Sequence, residues 1–152
     1  MMAAVDVSVI IVNWNTRDLL AQCLASVYDT AGDLDLEAWV VDNASSDGSA
    51  EMVRERFSQV HLIENAENVG FARANNQAIR QAEGRYSLLL NSDTVLLRSA
   101  LPELLTFARG QSRLGAIGPM LLNTDGTFQA SYNSFPSLWG ELLSAAGLSG
   151  VA

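Results

Sequence analysis

Residues 7–12 (VSVIIV) form a near-continuous apolar run, mostly β-branched. Such a run suits a strand buried on both faces of a parallel sheet. Asn15 or Thr16 can cap a helix in which Leu19, Leu20, Cys23, Leu24 and Val27 recur at helical spacing as far as Tyr28. Residues 29–37 are acidic, contain Gly32 and are predicted to be loop. A second buried strand is predicted over 38–41. A cap-rich loop (DNASSDG, 42–48) leads to a helix over 49–57, with Asp47 as its best cap. A third strand over 60–63 and a polar loop over 64–70 follow. The next helix, 71–82, turns Phe71, Ala74, Ala78, Ile79 and Ala82 inward. The fourth strand, 86–90, ends at Asn91, Ser92 and Asp93. The remainder predicts a helix over 101–108, mostly strand over 114–122, a hairpin turn at Asp125-Gly126 and a short apolar helix over 138–148.

Strand and helix alternate, which predicts an α/β sandwich around a mainly parallel sheet, in one domain over 1–152. Ligands of such sheets sit beyond the carboxyl ends of the strands. Three polar clusters fall there: Asn13-Trp14-Asn15, Asp42-Asn43 and Asn91-Ser92-Asp93. Their coincidence is the main chemical signal in the chain.

Each cluster also has a purely structural reading. Asp42 can accept hydrogen bonds from a base imide or a ribose hydroxyl, or it can close an Asx-turn. Asp93 can hold Mg²⁺ or Mn²⁺ when phosphates and waters complete the shell, or it can cap a turn. In the segment NAENVGFARANN (65–76), Gly70 and the helix start at Phe71 can approach a ligand closely. Equally, Gly70 can shape a turn, while Asn75 and Asn76 tie the helix to neighbouring loops.

Composition narrows the choice. Of 152 residues, 49% are hydrophobic and 17% charged, which is globular. The net charge of -8, with basic residues scattered, argues against a nucleic-acid surface. The lone cysteine, Cys23, sits in an apolar helical pattern and reads as core. The lone histidine, His61, lies in a strand pattern without a nucleophile motif, so a triad is rejected. Neither a Walker A loop nor a G-x-G-x-x-G follows the first strand. No run reaches the roughly 18 apolar residues of a membrane span, and residues 1–12 lack the form of a signal peptide. The expected location is cytoplasmic, or peripheral at the inner face of the cell membrane.

The ordered set VSVIIVNWN, VVDNASSDGS, NVGFARANNQAI and LLLNSDT resembles family 2 glycosyltransferases of the GT-A fold, especially rhamnosyltransferase-type members. The stretch GAIGPMLLNTDGTFQASYNSFPSL resembles the same subgroup, and the match runs from about residue 7 to 148. Each motif is weak alone; four in order are strong. The resemblance implies a Rossmann-like three-layer sandwich, truncated before the acceptor-binding half. It implies that Val12, Asn13 and Trp14 line a nucleoside pocket, that Asp42 and Asn43 hold base or ribose, and that Gly70 and Phe71 close over the nucleoside. Asn91, Ser92 and Asp93 stand at the family's Asp-x-Asp motif, with Asp93 as the ligand of a divalent cation. Asn91 replaces the first Asp, and Val12 stands where Pro is common.

The implied reaction is inverting transfer from a UDP- or dTDP-sugar, with dTDP-rhamnose a candidate, to a glycan or lipid-linked acceptor. The family's catalytic base belongs to a later Glu-Asp pair, expected beyond residue 152. Donor binding with weak or absent transfer is therefore expected of this chain alone. Two rivals are a non-catalytic nucleotide-sugar-binding module and a sugar nucleotidyltransferase; the latter would want a glycine-rich basic loop where residues 13–17 stand. The helix over 138–148 is expected to pack as core, against the rest of a longer protein, or on a membrane surface.

Overall fold

The structure is a computed structural model that describes residues 5–130. It divides into two compact units, residues 1–114 and 115–152. The first holds four parallel strands, β1 (Val7–Asn13), β2 (Leu36–Asp42), β3 (His61–Glu64) and β4 (Tyr86–Asn91), in the order β3-β2-β1-β4. Four helices accompany them: α1 (Arg17–Thr30), α2 (Ser49–Arg56), α3 (Phe71–Ile79) and α4 (Ala100–Arg109).

β1 explains the layering. Its side chains alternate between faces and nearly all are buried. Val7, Val9 and Ile11 enter a core with Leu20, Cys23, Leu24 and Val27 of α1, Met52 and Val53 of α2, and Leu101 and Leu105 of α4. Ile10 faces the other way, with Trp39, Val41, Ala74 and Ala78, beneath α3. The result is a three-layer α/β sandwich with a wholly parallel sheet.

The chain lays β1, β2 and β3 side by side in one direction. It then returns past β1 to place β4 on the other side. Right-handed crossovers require the helix to change face when the direction reverses. α3, the crossover into β4, is accordingly the helix on the second face. The reversal makes the carboxyl end between β1 and β4 the topological switch point, where open α/β sheets bind ligands.

The elements keep to the sequence pattern with a few departures. β2 begins at Leu36, inside the predicted loop, and α3 stops at Ile79. Phe71 and Ile79 are exposed on α3; small Ala74 and Ala78 make the close contact with the sheet instead. Leu19 is likewise exposed on α1. Thr16 occupies the N-cap position of α1 without a side-chain cap bond. Gly48 occupies that of α2, and Asp47 just outside it accepts from the Ser49 backbone N–H and hydroxyl.

The second unit is described over residues 115–130. β5 (Leu121–Leu122) pairs antiparallel with β6 (Phe128–Gln129) across a turn in which Gly126 has φ 82°. The strand predicted over 114–122 is thus two residues long. Gly115, Gly118 and Pro119 interrupt the run before it, and Pro offers no ladder donor. The helix predicted over 138–148 lies outside the described residues. No described helix is long and apolar enough to cross a membrane.

Candidate functional site

The parallel register carries three predicted clusters to one edge. Asn13 pairs with Asp42 at the ends of β1 and β2, and Val12 pairs with both Val41 and Asn91. Neighbouring strands lie about 4.8 Å apart. The ends of β2 and β4, with β1 between them, are therefore about 10 Å apart, on one side of the sheet.

Asn13 and Asp42 are polar residues inside the core boundary, at 0% and 4% exposure. Burial at that depth requires partners. Asn13 Nδ2 donates to Asp42 Oδ1 at 2.9 Å and to Ser45 Oγ at 3.1 Å. Asp42 Oδ2 accepts from the Ser45 backbone N–H at 2.9 Å. Asp42 thus closes a local turn, each of its oxygens accepting one of these bonds and keeping further acceptor capacity. The loop after β1 and the loop after β2 are stitched further. Asn15 donates its N–H to Ser45 Oγ, and its side-chain oxygen accepts from the Ser46 N–H. Asn15 and Ala44 both have positive φ, 53° and 63°. Non-glycine residues rarely adopt that conformation unless their surroundings enforce it.

Asn43 is buried as well. Its side-chain oxygen accepts from Asn65 Nδ2 at 3.0 Å and from the Val69 N–H at 3.4 Å. Asn65 and Gln77 exchange two amide bonds, at 2.9 and 2.8 Å. Asn43 therefore anchors the loop that delivers Gly70 and Phe71 to the strand ends. Gly70 needs its glycine, with φ 83°. Asn75 donates back to the Phe71 carbonyl within its own helix, and Asn76 is exposed. The ties to neighbouring loops thus come from Asn43, Asn65 and Gln77.

Two aromatics stand out from this edge, Trp14 after β1 and Phe71 at the start of α3, each 57% exposed. Exposed aromatics beside a polar strand edge suit stacking on a planar ring.

At the switch point, Asn91 and Asp93 are exposed and Ser92 is half-buried. Ser92 Oγ lies 2.8 Å from Thr16 Oγ1. Among the described residues no group of three or more His, Cys, Asp or Glu side chains is placed to hold a metal ion. The donor set at this end is one carboxylate with an amide and a hydroxyl. It fits a cation whose other ligands are diphosphate oxygens and water, and it does not fit a cation held by protein alone.

Cys23 lies beneath, its thiol 3.5 Å from the Asn91 carbonyl. Burial, with the nearby Asp93 charge, pushes the thiol pKa up to about 12. It is an inert core residue. His61 is exposed and stacks on Trp39, ring centroids 4.3 Å apart, at the first position of β3, level with the middle of β1 and β2 rather than with their carboxyl ends. A concavity of about 690 Å³ also lies elsewhere, lined by Ser26, Asp29, Thr30, Val95, Arg98 and Pro102 among others. Its hydroxyls are already committed: Ser26 and Thr30 to backbone groups, and Ser99 to the Glu103 carboxylate.

Residues 8–148 match the family described as glycosyl transferase family 2. The chain belongs to that family. Among the family's members, TuaG of Bacillus subtilis, named for teichuronic acid biosynthesis, is 33% identical over 125 residues, 80% of this chain and 49% of its own. The N-acetylglucosaminyl-diphospho-decaprenol L-rhamnosyltransferase of Mycobacterium tuberculosis is 26% identical over 86% of this chain and 46% of its own. The chain thus spans about half the length of these curated relatives. A mannosyltransferase of Pyrobaculum calidifontis, solved with GDP-Man and Mn²⁺, superposes with a TM-score of 0.60 at 29% identity, covering 70% of this chain and 32% of its own. S. aureus TarS, residues 1–349, shares the fold with a TM-score of 0.61 at 24% identity, over 68% of this chain and 32% of its own. The α/β sandwich is therefore the GT-A arrangement of family 2.

Thr16 and Ser45, which bind the clusters together, were not singled out in the sequence. Thr16 reads as an ordinary cap and Ser45 as loop filler. Only the parallel register of β1 against β2 and β4 brings them between the clusters.

Proposed function

We propose that this chain is the donor-binding part of a glycosyltransferase that takes its sugar from a nucleoside diphosphate. The observation that carries the reading is the placement of Asp42 and the Asn91–Asp93 segment at one strand edge, across the switch point. Asp42 receives the base or ribose through its remaining acceptor positions. Val12, Asn13 and Trp14 form one wall, and Gly70 and Phe71 the other. Asp93 would hold a divalent cation, Mg²⁺ or Mn²⁺. A cation held there would supply positive charge to offset the negative charge that builds on the departing diphosphate. Binding of UDP-sugars or dTDP-sugars is the favoured form.

The acceptor hydroxyl attacks the anomeric carbon from the opposite face, giving inversion, and a carboxylate takes its proton. We assign that base to residues outside the donor part described here. The acceptor class is a glycan or lipid-linked glycan of the bacterial cell surface, in line with the names of the relatives. We assign the reaction to the cytoplasm or the inner face of the cell membrane.

Thermal denaturation with UDP, dTDP or GDP in the presence of Mn²⁺ tests this. At a hundredfold excess over Kd a ligand adds about 2.7 kcal/mol of stability. The midpoint should rise with one of these nucleotides. Asp42→Ala should abolish the rise and Asp93→Ala should reduce it. An unchanged midpoint with all three would contradict donor binding.

A further inference from the structure

One line of hydrogen bonds joins the two ends of the site. Thr16 Oγ1 lies 2.6 Å from Asn13 Oδ1 and 2.8 Å from Ser92 Oγ. A carboxamide oxygen carries no proton, so the single hydroxyl proton of Thr16 goes to Asn13. Thr16 then accepts from Ser92, which must donate. The Asn13 amide is oriented from its other side, where Nδ2 meets Asp42 Oδ1 and Ser45 Oγ. Turning it over would set its oxygen against a carboxylate oxygen. All protons in the line therefore point one way, from Ser92 through Thr16 and Asn13 to Asp42. Hydrogen bonds that share a direction polarise one another.

The line crosses the fold where the backbone gives least support. The β1–β4 register ends at Val12 and Asn91. Beyond it the chain after β1 turns into α1, and the chain after β4 runs on toward α4. Thr16 and Ser92 supply the side-chain bond that holds these diverging segments together. Asp93 is the next residue.

We propose that Thr16 is a positioning residue that couples the nucleoside end of the site to its cation end. Its hydroxyl holds the Ser92–Asp93 segment at a fixed distance from Asp42, so that one nucleoside diphosphate reaches both. This rests on the donor-binding reading. Because coupling is reciprocal, a divalent cation tightens nucleotide binding by the factor by which nucleotide tightens cation binding.

The test is calorimetric titration of the chain with its tightest nucleotide among UDP, dTDP and GDP, with and without Mn²⁺. The corresponding nucleoside is titrated alongside. Thr16→Val keeps the shape and removes the hydroxyl. It should cut the Mn²⁺ enhancement of nucleotide affinity about fivefold to tenfold, the worth of one hydrogen bond. Nucleoside affinity should change by less than that. Thr16→Ser should restore the enhancement, and Ser92→Ala should reproduce the loss from the other end. In the nucleotide-free chain, amide exchange at residues 92–94 should quicken in Thr16→Val and not in Thr16→Ser. Nucleotide bound with an undiminished Mn²⁺ enhancement in Thr16→Val would overturn the coupling alone. A wild-type chain that binds none of the three nucleotides would overturn the donor reading, and the coupling with it.

Discussion

Asn13 stands out in sequence as a polar residue that follows six strand positions, but its partners do not. In the fold it is the last residue of β1, wholly buried, with its amide nitrogen committed to Asp42 and Ser45. The position of Asp42 was legible, because an acid that ends an apolar strand has few uses. Its partner was not, because the bond spans 29 residues and exists only in the β1–β2 register. Phe71 carries two expectations, to close over a nucleoside and to face the core; the second fails, because Ala74 and Ala78 make the close contact beneath α3 and Phe71 is exposed. Cys23 yields a direct prediction at this scale. With its pKa pushed to about 12 by burial, it should resist iodoacetamide in the folded chain. Alkylation should proceed only as the chain unfolds in urea, as read by mass spectrometry. Rapid labelling of native protein would contradict its place beneath Asn91.

Among the elements, the turn from α3 into β4 fixes where β4 enters the sheet beside β1. Glu37 on β2 organises it. Its Oε1 accepts from Ser8 Oγ and from the Glu83 N–H, each at 2.6 Å, and from the Gly84 N–H at 3.3 Å. Ser8 Oγ accepts in turn from the Gly84 N–H at 2.8 Å. Gly84 must be glycine: a Cβ there would lie 2.4 Å from the Ser8 backbone nitrogen. Gly84→Ala should therefore destabilise the chain by about 1–3 kcal/mol, the cost of overpacking, as measured by urea denaturation. No loss of stability would mean that β4 enters beside β1 differently.

Glu37 gives the pH dependence. Burial pushes its carboxyl up, but the bonds from Ser8, Glu83 and Gly84 outweigh it and hold the pKa below the ordinary value. A depressed folded pKa means stability present above the unfolded value of about 4.3 and lost as pH falls through the folded one. Glu37→Gln should lower the melting temperature at pH 7, and the difference from wild type should shrink toward pH 3. A difference that stayed constant would show that the charge is not what matters. None of this was legible in the sequence. Residues 29–37 read as acidic loop, and the glutamate's partners come from two distant segments, at Ser8 and at Glu83–Gly84.

For the molecule as a whole, the sequence pattern announced the architecture because continuous apolar strand runs alternate with helical 3.6-residue periodicity through residues 7–109. They weakened after residue 114, where the expected strand shrank to a two-residue hairpin arm. The candidate site followed from the architecture: polar clusters after strand ends become one site once the strands are parallel and adjacent. The account therefore depends on a single ligand touching strand ends that are distant in sequence. Amide chemical-shift mapping of the chain, titrated with a nucleoside diphosphate in the presence of Mg²⁺, tests this most directly. Shifts at residues 13–16, 42–45 and 91–94 that saturate together at one ligand concentration are the predicted result. Shifts confined to one of those segments, or centred on the concavity around Ser26 and Pro102, would contradict it.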